Sequence, residues 1–149
     1  MIWDGIKRDR LVWIGDLHPE TLGVLYTTAD AENVMNCIKF GEEETPPTDW
    51  MNGHTAYSFW WILVLYDYYR FTGNREKVGL YVDYLAKLIE NTDKLISENG
   101  ETDFPNYFLD WPTNGTADAV VGCNALLKIA AKKGGELLKI FGRDDFAVS

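Results

Sequence analysis

The chain has 149 residues, a formal net charge of −9, 46% hydrophobic residues and 14% aromatic residues. The length suggests one domain, 1–149, and the apolar fraction suffices for a packed core, which excludes a disordered chain. The acidity argues against nucleic acid, whose phosphates need Lys and Arg, and against anionic membrane surfaces; a neutral, hydroxyl-rich ligand such as a sugar meets no such repulsion.

Met1 is followed within ten residues by Asp4, Lys7, Arg8, Asp9 and Arg10. No apolar stretch of a signal peptide is visible there, and the expected location is cytoplasmic. A first helix is predicted from Pro19-Glu20 to about Thr28, because proline suits the first helical position. Asp30 is a good N-cap for a second helix through Phe40, with Gly41 as its stop. Residues 42–55 read as a loop around Pro46-Pro47 and Asn52-Gly53.

The next segment, 56–71, is apolar nearly all round, with Tyr57, Phe59, Trp60, Trp61, Ile62, Leu63, Val64, Leu65, Tyr66, Tyr68 and Tyr69. Such a helix is buried on almost every side. Its longest apolar run, 59–66, ends at Asp67, far short of the roughly 20 residues of a membrane span. After Gly73, Asn74 should cap an amphipathic helix whose apolar residues Val78, Tyr81, Val82, Leu85, Leu88, Ile89, Leu95 and Ile96 fall largely at three-four spacing. A second loop, 99–115, contains Pro105 and Pro112; a helix follows over 116–133, ended by Gly134-Gly135, and a short helix closes the pattern over 136–141.

No segment alternates as a strand would. An all-apolar helix joined to an amphipathic one predicts an all-α fold in two layers, buried helices inside and half-wet helices outside. Rings of helical hairpins and α-solenoids are both built this way, and no strict repeat of about 34 or 40 residues favours the solenoid. Cys37 and Cys123 read as buried free thiols. There is no CxxC spacing, and His18 and His54 have no helical partner, so neither a metal nor a cofactor is expected.

The residues that could carry chemistry lie first in 4–16, where Asp4, Asp9 and Asp16 surround Arg8, Arg10 and Trp13. Glycoside cleavage needs one carboxylic acid to protonate the leaving oxygen and a second carboxylate to activate water or attack. The same residues also read as a solvated, salt-bridged segment. On the first reading, Asp4, Asp9 and Asp16 should converge on one concave surface at the loop end of the inner helices.

Asp4-x-x-x-Arg8-Asp9-Arg10-Leu11-x-Trp13-x-Gly15-Asp16 resembles the signature of the catalytic domain of bacterial α-L-rhamnosidases. The likeness continues more weakly through 57–71, with its Tyr69-x-x-x-Gly73 end, and through Phe108-Leu109-Asp110-Trp111. The resemblance implies a six-hairpin glycosidase, an inverting hydrolase on an (α/α)6 toroid, with a terminal α-L-rhamnose as substrate. It implies Asp9 as general acid, Asp4 and Asp16 as sugar-binding carboxylates, Trp13 as a pocket wall, Arg8 as the partner that orients the carboxylates, and Asp110-Trp111 as a loop supplying a pocket tryptophan. Two positions depart from the family: Gly5-Ile6 where it often has Cys-Pro, and Arg8-Asp9-Arg10 where it often has Arg-Asp-Glu-Arg.

The family also places its general base, a Glu, later in the toroid, and no segment after Gly115 matches it. The expectation is therefore a portion of an (α/α)6 toroid that holds a carbohydrate, is inactive alone, and self-associates through an exposed apolar flank. Three alternatives stand beside it: another six-hairpin glycosidase, an inactive carbohydrate-binding remnant, and a helical scaffold for a protein partner.

Overall fold

The structure, a computed structural model, describes residues 1–4, 7 and 9–143. Among them the fold is all-α, with six helices and no strand. The helices are α1 (Ile14–Thr27), α2 (Ala31–Glu44), α3 (Thr55–Thr72), α4 (Arg75–Gly79), α5 (Val82–Asp93) and α6 (Ala117–Ile140). Short 3-10 turns occupy Met51–Gly53 and Trp111–Thr113.

Helix α3 is the centre. It is buried nearly all round, as its composition requires, and packs against α1 on one side and α6 on the other. These three form the inner row. Behind it lie α2, α4 and α5, joined through α3: Trp61 donates its indole N–H to the Ile38 carbonyl of α2 at 2.9 Å and meets the ring of Tyr84 of α5 at 5.0 Å. The Tyr84 hydroxyl donates in turn to the Thr45 carbonyl at 2.8 Å. The expected inner layer of buried helices is met by α3 alone; α1 and α6 beside it each keep an exposed face.

The inner helices run parallel. The N-terminal turns of α1 and α3 share one end, where Gly15 faces the Tyr57 ring. Their C-terminal turns share the other, where Tyr26 meets Phe71 edge-on at 5.8 Å. Near that end, Lys133 of α6 and the Tyr66 hydroxyl of α3 both donate to Glu136, at 3.0 and 2.9 Å.

Several boundaries differ from the sequence reading, each for a packing reason. Helix α1 begins five residues before Pro19, because the amide of Ile14 finds an acceptor in Asn52 Oδ1 at 2.9 Å and the helix can start there. Gly41 does not stop α2, which runs on to Glu44; the glycine leaves room for Trp61, whose Cδ1 would lie 2.9 Å from a Cβ. Gly134-Gly135 do not end α6. Gly134 lies buried where a Cβ would stand 2.6 Å from Ile89 Cδ1, so it serves close helix approach instead of termination. The single amphipathic helix expected after Asn74 is two, α4 and α5, divided at Leu80-Tyr81.

Other local readings match. Asp30, Asn74 and Thr116 each accept a backbone N–H at a helix start, and Gly73 closes α3 in the left-handed conformation. Cys37 and Cys123 are buried and free. No helix is long and apolar enough to cross a membrane, among the described residues.

Candidate functional site

The site forms where the inner helices begin. Residues before α1, α3 and α6 are brought together there, and their joining has a specific hinge in Asn52. This residue adopts a left-handed conformation, φ 51°, which Asn tolerates better than most. Its side chain then reaches back to the first motif: Oδ1 accepts from Ile14 N, and Nδ2 donates to the Val12 carbonyl at 3.3 Å. The motif is closed at its other end by an antiparallel bridge between Asp4 and Leu11, whose amide–carbonyl bond is 3.1 Å. The third segment is tied on by Asn106, which donates to the Gly53 carbonyl at 3.1 Å, and by Phe108, stacked on His54 at 4.3 Å.

Between these segments lies a cavity of about 580 Å³. Asp4, Asp9, Asp16 and Asp110 line it, with Trp13, Tyr57, Trp60, Phe108 and Trp111 as aromatic walls. Of the residues singled out from sequence, the cavity therefore unites Asp4, Asp9, Trp13, Asp16, Asp110 and Trp111; Arg8 lies outside the described residues. Trp111 stands at the lip, 78% exposed, with its ring edge-on to Phe108 at 5.1 Å. It starts the 3-10 turn, and the Asp110 carboxylate accepts its amide at 2.7 Å.

The cavity is electrostatically loaded. Partial burial raises the Asp16 carboxyl above the usual aspartate range, and the charges of Asp4 and Asp110 raise it further, against a backbone hydrogen bond that lowers it. Glu20, one turn along α1, is raised by burial and by Asp4 and Asp16. The same field acts on Tyr57. Burial first, then Asp16, Asp110 and Asp4, push its phenol up to about 12. Four carboxylates thus face a common space with a neutral phenol among them.

In the sequence Tyr57 and Trp60 belong to an apolar, buried helix and His54 to a loop. All three line the cavity. The missed signal was Gly15. A Cβ there would lie 2.2 Å from Tyr57 Cε1, so the glycine of the Gly15-Asp16 pair lets an α3 aromatic lie flat on α1 beside the carboxylates.

Compared with known proteins, the chain gives no significant match to a protein-family model, a curated protein or a solved structure.

Proposed function

We propose that this chain is a portion of an inverting glycoside hydrolase domain of the α-L-rhamnosidase kind, and that the cavity holds a terminal α-L-rhamnose. The observation that carries this reading is the convergence of the motif carboxylates Asp4, Asp9 and Asp16 with Asp110 and five aromatic side chains on one cavity. Carboxylates accept hydrogen bonds from sugar hydroxyls. Aromatic faces cover the apolar faces of a sugar ring. A volume of about 580 Å³ lies within the range of small-ligand pockets, roughly 300–1,000 Å³.

On this reading Asp9 is the general acid, Asp4 and Asp16 hold sugar hydroxyls, Trp13 and Trp111 are walls, Asp110 braces Trp111, and Arg8 orients the carboxylates. An inverting enzyme sets its base about 6.5–9.5 Å from the acid, with water between. The family's base is a Glu from a later segment. Glu136, the glutamate after Gly115 among the described residues, is engaged by Lys133 and Tyr66 near the opposite end of the inner helices. That observation favours sugar binding without turnover for the 149-residue chain.

The test joins calorimetry with L-rhamnose to an assay of phenol release from an aryl α-L-rhamnoside. Binding is expected, weakened by Asp4→Asn or Asp16→Asn. Hydrolysis is expected to be lower than in an intact two-carboxylate enzyme by at least about 100-fold. Absence of sugar binding would refute the carbohydrate reading. Fast phenol release would refute the assignment of the base to a later glutamate.

A further inference from the structure

Tyr57 is 7% exposed, yet it lines the cavity. Its ring is fixed on three sides: edge-on to Trp13 at 6.4 Å, against His54 at 4.9 Å, and flat over Gly15. The buried Tyr68 and Tyr81 also lack a hydroxyl partner among the described residues but do not line the cavity, whereas three further tyrosines use their hydroxyls inside the fold. Tyr84 donates to Thr45, Tyr66 to Glu136 and Tyr107 to Thr102. The Tyr57 hydroxyl has no hydrogen-bond partner among the described residues, and it is not among the polar atoms sealed from solvent. It therefore opens into the cavity with its donor capacity unused.

We infer that Tyr57 is a specificity-determining hydrogen-bond donor of this site, paired with the Asp16 carboxylate around a single ligand hydroxyl. The inference rests on the sugar-binding reading and adds to it the recognition rule. A sugar hydroxyl both accepts and donates. Its oxygen accepts from Tyr57 Oη–H while its own proton is donated to Asp16. The four carboxylates described in the cavity lining, Asp4, Asp9, Asp16 and Asp110, are acceptors when ionised, and the phenol adds a donor beside them. Its titration, pushed up to about 12, keeps it a neutral O–H at neutral pH and well above. A ligand with hydrogen in place of that hydroxyl leaves both partners unpaired, and sites built to bond a hydroxyl discriminate strongly on that basis.

The experiment uses the full chain, L-rhamnose and its three monodeoxy analogues at ring positions 2, 3 and 4, measured by calorimetry on wild type and Tyr57→Phe. The wild type is expected to bind one analogue at least about 10-fold more weakly than L-rhamnose. Tyr57→Phe should bind L-rhamnose roughly 3- to 10-fold more weakly than wild type and bind that one analogue as wild type does, since the lost bond is already absent. Phe keeps the ring packing, and an unchanged melting temperature verifies this. A second readout is the tyrosine ultraviolet difference spectrum produced by L-rhamnose in wild type, which the variant should lose. Wild-type affinity of Tyr57→Phe for all four sugars would overturn the inference while leaving the carbohydrate reading intact. No binding of any sugar to the wild type would overturn both.

Discussion

Gly15 does two jobs with one absent atom: it lets the Tyr57 ring lie against α1, and it holds that ring beside Asp16. Gly15→Ala would place a methyl 2.2–2.7 Å from three ring carbons, and the ring is itself wedged by His54 and Trp13. The helix-propensity gain of alanine, about 1 kcal/mol, is outweighed. Net destabilisation of roughly 1–3 kcal/mol is expected in urea unfolding, with weakened sugar binding. A more stable Gly15→Ala would show that the ring is free to move. At the same scale, Asp16 and Glu20 titrate above the ordinary carboxyl range. Ionising them costs the native chain more than the unfolded one, so their contribution to stability falls as pH rises from the ordinary values, 3.8 for Asp16 and 4.5 for Glu20, through the raised folded values. Acidification back through that window restores it. An acid in the first turn of α1 gains from the helix dipole, but the net shift is upward, so burial and like charge prevail. Asp16→Asn should raise the melting temperature at pH 7 by a few degrees at most and leave it unchanged below pH 3.8. A lower melting temperature at pH 7 would show that the dipole prevails.

Among the elements, α3 concentrates the risk. Trp61 is fully buried and joins α2 to α5 through one hydrogen bond and two ring contacts. Trp61→Phe removes the indole hydrogen bond to the Ile38 carbonyl and opens a void, and a loss of about 2–4 kcal/mol is expected from chemical denaturation. A loss below about 1 kcal/mol would mean that the layers are held elsewhere. The elements were largely legible in sequence because their signals are local: a continuous apolar run, capping residues at 30, 74 and 116, and a left-handed glycine at 73. The misread boundaries have non-local causes. Asn52, 38 residues from Ile14, starts α1 early. Gly41 and Gly134 look like breakers in a one-dimensional pattern and are spacers in a packed one. The site divides in the same way. The carboxylates of 4–16 and the 108–111 loop carried recognisable motifs, whereas the inward role of Tyr57 depends on which face of α3 meets Gly15, which no short window contains.

On the scale of the molecule, α6 is covered on the side facing α3 and α5, while Val121 and Ile129 on its other side are 69% and 51% exposed. Val120 and Ile140 are exposed as well, with Lys128, Lys132 and Lys139 exposed among these residues. Exposed apolar side chains on one helix favour association, and a second copy is the partner always present in a purified sample. Sedimentation velocity should show self-association that grows with concentration, weakened at least about 10-fold by Ile129→Lys. A wild type that stays monomeric at every concentration would refute this.

The Asn52 clamp has a chemical consequence of its own. An Asn followed by Gly is the step at which a backbone nitrogen most easily attacks the side-chain amide and expels ammonia. Here that amide is held by Val12 and Ile14 on one side of Gly53, while Asn106 holds the Gly53 carbonyl on the other. Folding therefore restrains the motion that the attack requires. In a chain that opens there and reacts, the Gly53 nitrogen bonds to Asn52 Cγ as ammonia leaves, and water then opens the ring to leave a carboxylate, which can only accept. The Val12 carbonyl then faces an oxygen where it had a donor, and a further negative charge lies beside a cavity already lined by four aspartates. The clamp would thus record the chain's age: each slow loss of ammonia would loosen the joint that brings the carboxylates together, and the pocket would wear out before the helices do.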